Sequence, residues 1–177
     1  MSADVLSIAT QNATLWTSDL FDAETRAEAG ALLKKGGDAL IEPFYKDLDF
    51  GTGGMRGIMG VGTNRINAYT LGLATQGLAS YAQTFFKGKP LKAAIAFDSR
   101  NNSKSFARKV AEVLSANGVH TFLFEDLRPT PELSFAVREL GCDFGIVLTA
   151  SHNPKEYNGY KVYWNDGGQL VPPHDSA

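Results

Sequence analysis

Between residues 93 and 148 the chain alternates short apolar runs with helical repeats, and this alternation restricts the possible folds more than any other feature. Ala93-Ala-Ile-Ala-Phe97, Thr121-Phe-Leu-Phe124 and Phe144-Gly-Ile-Val-Leu148 have the length and residue types of strands. Between them lie a helix with Phe106, Val110, Val113 and Leu114 on one side, closed by Asn117-Gly118, and a shorter one carrying Leu133, Val137 and Leu140. The order strand, helix, strand, helix, strand requires parallel pairing, because each helix serves as a crossover that starts the next strand in the same direction. Right-handed crossovers gather the loops that leave the strands' carboxyl ends on one edge, where open α/β sheets place ligands. That edge includes the segments after Phe97, Phe124 and Leu148.

The flanking segments extend this pattern. Leu71, Ala74, Leu78, Ala82 and Phe85 step by three or four, which predicts a long helix from about Asn67 to Phe86 with one face laid on the sheet. Tyr160-Lys-Val-Tyr-Trp164, the turn formers Asn165-Asp-Gly-Gly168, and Gln169-Leu-Val171 read as a hairpin that adds antiparallel strands. The expected fold is α/β: a three-layer domain whose mixed, mainly parallel sheet is flanked by helices. Before it, Leu6, Ala9, Ala13 and Trp16, then Ala29, Leu32 and Leu33, predict two helices. Gly36-Gly37 ends the second, and Ile41-Glu-Pro43-Phe-Tyr45 bridges into a glycine-rich stretch. A boundary near Asp47 therefore divides a helical N-terminal extension, 1–46, from the α/β domain, 47–177. Residues 172–177 carry no helix or strand signal and are expected to form a linker.

Composition excludes several classes. Net charge is −2, with acidic and basic residues mixed along the chain, so there is no footprint for a nucleic acid. No apolar run is long enough to cross a bilayer, and Met1-Ser-Ala-Asp-Val-Leu6 lacks the basic start and apolar stretch of a secretory signal, which makes the cytoplasm the expected compartment. Cys142, the single cysteine, excludes an internal disulfide and a thiolate zinc site, and reads as a small buried hydrophobe.

The chemistry-bearing candidates sit at the ligand edge. Thr149-Ala-Ser-His-Asn-Pro154 starts where a buried strand ends and offers the Ser151 hydroxyl. On turn chemistry alone it is a structural loop. A Ser151–His152 nucleophile is disfavoured, because neighbours in an extended loop point apart and no G-x-S-x-G elbow is present. Arg56 lies among Gly51, Gly53, Gly54 and Gly57, which let backbone amides approach an anion while the guanidinium offers forked donors. The bland alternative is a flexible turn with one exposed charge. No Walker A pattern accompanies these glycines. Asp98 and Arg100 follow the first parallel strand and can orient the serine loop through an ion pair or backbone bonds, while Ser103 is a natural helix cap. Lys161 follows Asn158-Gly159, read as a turn that returns the chain to the serine loop. Pro131 presets a helix start.

Thr149-Ala-Ser-His-Asn-Pro154 followed by Tyr157-Asn-Gly-Tyr-Lys161 closely resembles the phosphoserine loop of the α-D-phosphohexomutases, the phosphoglucomutase/phosphomannomutase family. Asp49-Phe-Gly-Thr-Gly-Gly-Met-Arg-Gly57 is similar to that family's N-terminal signature, and Asp98-Ser-Arg100 to its strand-end Asp-x-Arg element. The resemblance spans about 47–171. Gly53-Gly54-Met55 replaces the Ser-Gly-Ile of short bacterial phosphomannomutases, which tilts the resemblance toward the longer phosphoglucomutase and phosphopentomutase branch.

The resemblance implies an intramolecular phosphotransferase that passes a phosphoryl group from Ser151 to a sugar monophosphate and recovers another from the bisphosphate intermediate. It implies catalytic roles for Ser151, His152, Lys161 and Arg56, and phosphate-binding or orienting roles for Gly53, Gly54, Arg100 and Asn153. Mg²⁺ would be held through the Ser151 phosphate together with an aspartate cluster that this chain lacks, and a sugar bisphosphate would act as activator. The expected partners are a phosphosugar and the remaining domains of the same polypeptide. The isolated chain is expected to be inactive. The implied transfer is between the 1- and 6-positions of a hexose phosphate; a phosphopentomutase or phosphoglucosamine mutase of the same family, a noncatalytic phosphosugar-binding module and, more remotely, a serine hydrolase are the alternatives.

Overall fold

The computed structural model describes residues 3–176 and divides into two compact units, one of residues 1–49 and 57–67 and one of residues 50–56 and 68–177. The first contains helices α1 (Ala3–Leu15), α2 (Ala23–Lys35) and α3 (Gly37–Phe44). Asp22 caps α2, accepting from the Thr25 amide at 2.9 Å and the Thr25 hydroxyl at 2.8 Å. Gly36, at φ +62°, ends it with a bond to Leu32 O. The expected pair of helices is thus a trio. Ile41–Phe44 is not a bridge but the last turn of α3, and Pro43 lies inside that helix. A proline there forfeits an i→i−4 hydrogen bond, and tertiary burial of the turn offsets that cost. Here Leu40, Pro43 and Phe44 are buried, Phe44 meets Trp16 edge-on, and Asn12 Nδ2 donates to Phe44 O at 2.8 Å. Leu6, assigned to the buried face by its spacing, is 45% exposed.

The second unit follows the predicted alternation. Strand β1 (Gly54–Ile58), of which residues 54–56 belong to this unit, precedes α4 (Ala68–Phe85), β2 (Lys92–Phe97), α5 (Ser103–Ala116), β3 (His120–Leu123), α6 (Thr130–Glu139), β4 (Phe144–Leu148) and β5 (Tyr157–Trp164). The sheet order is β1-β5-β4-β2-β3. β2 pairs in parallel with β3 and β4, and β5 runs antiparallel to β4. Side-chain alternation makes three layers. Ala94, Ala96 and Val147 pack with Leu133, Ala136 and Val137 of α6, while Tyr160 on the other face reaches Thr75 of α4 at 3.2 Å.

Three expectations need correction. The glycine-rich segment contains a strand, β1, that its composition hid. The expected hairpin has one full strand, because after Trp164 only an isolated bridge, Tyr163 to Gln169, pairs the returning chain. The C-terminal residues include a 3₁₀ turn, His174–Ser176, and His174 stacks on Trp164 and shares a 2.7 Å hydrogen bond with the Tyr81 hydroxyl. Cys142 is a buried member of the α6 core, as expected, and burial pushes its thiol pKa up to about 11.

Candidate active site on the serine loop

β4 is buried along its whole length and delivers Thr149-Ala150 to the carboxyl edge of the sheet, where the chain turns out at Ser151. Ser151 adopts φ +56°, a left-handed conformation that costs a serine about 1 kcal/mol. Local bonds hold the turn: the Ser151 amide donates to Thr149 Oγ1 at 3.0 Å, and the Asn153 amide to Ala150 O at 3.1 Å. The hydroxyl is exposed and lies 3.3 Å from His152 Nδ1. The two neighbours therefore do not point apart, because the left-handed turn breaks the alternation assumed for an extended loop.

Beneath the loop, Arg100 is nearly enclosed, its side chain 12% exposed. Its Nη1 donates to Pro154 O at 2.9 Å and Tyr157 O at 3.1 Å, and its Nη2 to Ser151 O at 2.8 Å and Asn153 O at 2.7 Å. Asp98 Oδ2 lies 3.6 Å from Arg100 Nε, and Asp98 Oδ1 accepts from the Arg100 amide and the Ser103 hydroxyl. Ser103 is not the N-cap of α5. Asn102 holds that position at φ +64° without a side-chain cap bond, and the Ser103 hydroxyl is engaged by Asp98 instead.

Asn158-Gly159 is not a turn either, since both residues lie inside β5. Asn158 is fully buried. Its Nδ2 donates to Asn101 O and Ser103 Oγ, each at 3.0 Å, and its Oδ1 accepts the Gly159 amide at 2.8 Å. Gly159 is required by close approach, as a Cβ there would stand 2.6 Å from Thr149 O and 2.7 Å from Met55 O. The framework role of Asn158 escaped the sequence reading. Its available signal was an amide side chain within a run of strand formers, where it must find internal partners.

Arg56 lies exposed on β1 and donates through Nη1 to Asn153 Oδ1 at 2.8 Å. Gly54 abuts β5: a Cβ on it would meet Tyr160 O at 1.9 Å, and its amide is committed to Gly51 O. Gly53 accepts the Val162 amide at 2.8 Å. Lys161 pairs in register with Val147, is partly exposed, and its ammonium makes no hydrogen bond or ion pair among the described residues. Bonded contacts thus join Ser151, His152, Asn153, Arg56 and Arg100, and leave Lys161 outside the network. Among the described residues no three His, Cys, Asp or Glu side chains are grouped so as to hold a metal ion.

An open sheet that presents a strained, hydrogen-bonded serine at the carboxyl end of its central strand has the layout in which α/β domains place their ligands. Residues 47–177 match the family described as phosphoglucomutase/phosphomannomutase, alpha/beta/alpha domain I, and the chain belongs to that family. It is similar to a phosphopentomutase of Homo sapiens, 42% identical over 147 residues covering 79% of this chain and 24% of the relative. A phosphoglucomutase of Staphylococcus saprophyticus is 46% identical over 148 residues, 76% of this chain and 26% of the relative. A Thermus thermophilus protein assigned as a phosphomannomutase has a similar structure, with a TM-score of 0.68 at 30% identity over 74% of this chain and 29% of that one. The phosphopentomutase and phosphoglucomutase relatives agree with the branch suggested by Gly53-Gly54-Met55. The chain spans about a quarter of the length of these curated relatives. No described helix is long and apolar enough to cross a membrane.

Proposed function

We propose that this chain is the serine-bearing first domain of a phosphosugar mutase, in which residues 47–177 form the domain and 1–46 a helical extension. The mutase moves a phosphoryl group between the 1- and 6-positions of a hexose phosphate. In the first half-reaction the P–O bond to Ser151 Oγ breaks, a new one forms to a sugar hydroxyl, and that hydroxyl's proton ends on the serine oxygen. The bisphosphate then reorients and returns its other phosphoryl group to Ser151. Exchange between two similar phosphate esters needs little driving force, so alignment and charge neutralisation carry the catalysis.

The observation that carries this reading is the Ser151 hydroxyl, exposed in a left-handed turn at the sheet's carboxyl edge and 3.3 Å from His152 Nδ1. In this reading His152 carries the proton, which its 3.3 Å contact with the Ser151 hydroxyl supports. Lys161, without a partner among the described residues, has its ammonium available to the transferring group. Arg56 supplies guanidinium donors, and Asn153 orients it. Gly54 lets β1 lie against β5, and Gly53 accepts the Val162 amide beside it, so that Arg56 comes to the loop.

Phosphohexomutases generally depend on magnesium, a hard cation that takes oxygen ligands and neutralises phosphate charge. No group of three His, Cys, Asp or Glu side chains among the described residues would complete such a site; a Ser151 phosphate would contribute one oxygen, and a sugar bisphosphate would load that phosphate. The substrate is a phosphosugar, a hexose phosphate in this reading, with pentose or glucosamine phosphates as alternatives within the family. Remaining domains of the same polypeptide would read the sugar, in the cytoplasm, without nucleic acid or membrane as partner.

The test is to incubate the intact protein with a glucose bisphosphate labelled in its phosphates and map the label by mass spectrometry. Label is expected on Ser151, and Ser151→Ala is expected to lower turnover by about four orders of magnitude or more. Label on another residue rejects the assignment, and a protein that binds the bisphosphate but takes no covalent label points to the noncatalytic module.

A further inference from the structure

A guanidinium has five N–H donors in a fixed plane and no acceptor. In Arg100 the four Nη hydrogens are met by four carbonyls of one loop, those of Ser151, Asn153, Pro154 and Tyr157. The remaining Nε faces Asp98 at 3.6 Å. We infer that Arg100 is a positioning residue, a carbonyl clamp that fixes the left-handed backbone of Ser151, and that it does not bind the phosphate.

Donor accounting excludes the phosphate role. To take up an anion, Arg100 would have to release carbonyls in a nearly enclosed place, and each abandoned carbonyl would cost about 1–3 kcal/mol. Arg56, joined to the same loop through Asn153, is exposed and has guanidinium donors left over after that bond. Of the two arginines joined to the loop, Arg56 and not Arg100 keeps guanidinium donors that a phosphate could use.

The clamp also answers an energetic question. Ser151 at φ +56° is strained, and such a conformation persists only where its surroundings over-determine it. Carbonyls from residues 151, 153, 154 and 157 converge on one planar cation, which a relaxed loop could not arrange. The cation is itself fixed from below. Asp98 holds its backbone amide and counters its charge, Ser103 holds Asp98, and the fully buried Asn158 ties Ser103 to β5. Residues from the ends of β2, α5, β4 and β5 thus form one closed set around the serine turn.

The inference rests on the mutase reading only where turnover is measured. Its test compares the intact wild type with Arg100→Lys, which keeps the charge but offers three donors from one nitrogen and cannot span four carbonyls. Expected are a fall in kcat of about 100-fold through misplacement of Ser151, a KM within about twofold of wild type, and hydrogen exchange at the Ser151, Asn153 and Tyr157 amides faster by about tenfold or more. A wild-type kcat overturns the clamp, and a raised KM with unaltered exchange in the loop overturns it in favour of a phosphate-binding Arg100. If Arg100→Lys does not fold, the same readings on Asp98→Asn decide: a kcat-only loss with faster loop exchange supports the clamp, and wild-type kcat and exchange overturn it. The exchange readout separates this inference from the functional one. A wild type that takes no label on Ser151 removes the mutase reading, while faster loop exchange in Arg100→Lys still establishes the clamp.

Discussion

The two sides of the serine loop are built on opposite principles. Above it, Ser151, His152 and Arg56 are exposed and sparsely bonded; below it, Asp98, Arg100, Ser103 and Asn158 use their polar atoms on one another and on the backbone. The contrast separates chemistry from support. Groups that act on a substrate need donors and acceptors still free, whereas groups that hold geometry must have theirs already satisfied, because an unsatisfied buried polar atom is costly. Two arginines make the distinction within one network: Arg56 has capacity left and Arg100 has almost none.

That division of labour can be attacked from either side. On the open side, Arg56→Gln should lower kcat/KM of the intact protein about 100-fold by removing charge-assisted donors to the phosphoryl group. Loop exchange should stay as in the wild type; if it rises as in Arg100→Lys, the two arginines do the same job and the division fails.

On the closed side, Asn158→Leu strips partners from the Ser103 hydroxyl, the Asn101 carbonyl and the Gly159 amide. A loss of about 3 kcal/mol in unfolding free energy is expected from urea titration. A loss within experimental error would mean that water replaces the amide and that the frame is not closed.

Ser151→Gly should move stability and activity in opposite directions. Relief of the left-handed strain is expected to stabilise by about 1 kcal/mol while labelling disappears. A destabilised glycine variant would show that the serine hydroxyl, not the clamp, holds the turn.

The mildest expectation concerns the core beneath this frame. Burial pushes the Cys142 thiol from 9.0 up to about 11, with Asp143 adding to the shift, and burial raises the Tyr160 phenol further against an opposing hydrogen bond from Thr75. Between pH 9 and 11 the unfolded chain loses the thiol proton that the folded chain keeps, so stability is present below pH 9.0 and declines as pH rises through about 11. Urea midpoints should fall across that window, and less steeply in Cys142→Ala.

Much of this is legible in the residues themselves. The βαβ alternation from Ala93 to Leu148 sets the parallel sheet, because strand and helix periods differ and each leaves its own apolar trace. The serine loop, Asp98-Ser-Arg100 and the segment around Arg56 are likewise recognisable as local strings. Asn158 and Gly159 mislead because asparagine and glycine favour turns when judged locally, and β1 is hidden because its glycines suit a turn equally well. Pro43 conceals α3 for the same reason, since local propensity signals a break that Leu40 and Phe44 override by burial.

The sequence by itself determined the layer order of the α/β unit and the residue that stands at the end of its central strand, since both follow from periodicity and short contiguous patterns. Tertiary structure alone decided which arginine is spent and which remains free, and which glycine is a turn and which a point of contact. Those outcomes depend on atoms distant in the chain meeting at hydrogen-bond distance, as Arg100 meets Ser151 across 51 residues and Arg56 meets Asn153 across 97. Donor satisfaction is a property of the assembled neighbourhood and leaves no trace in the spacing of residues along the chain.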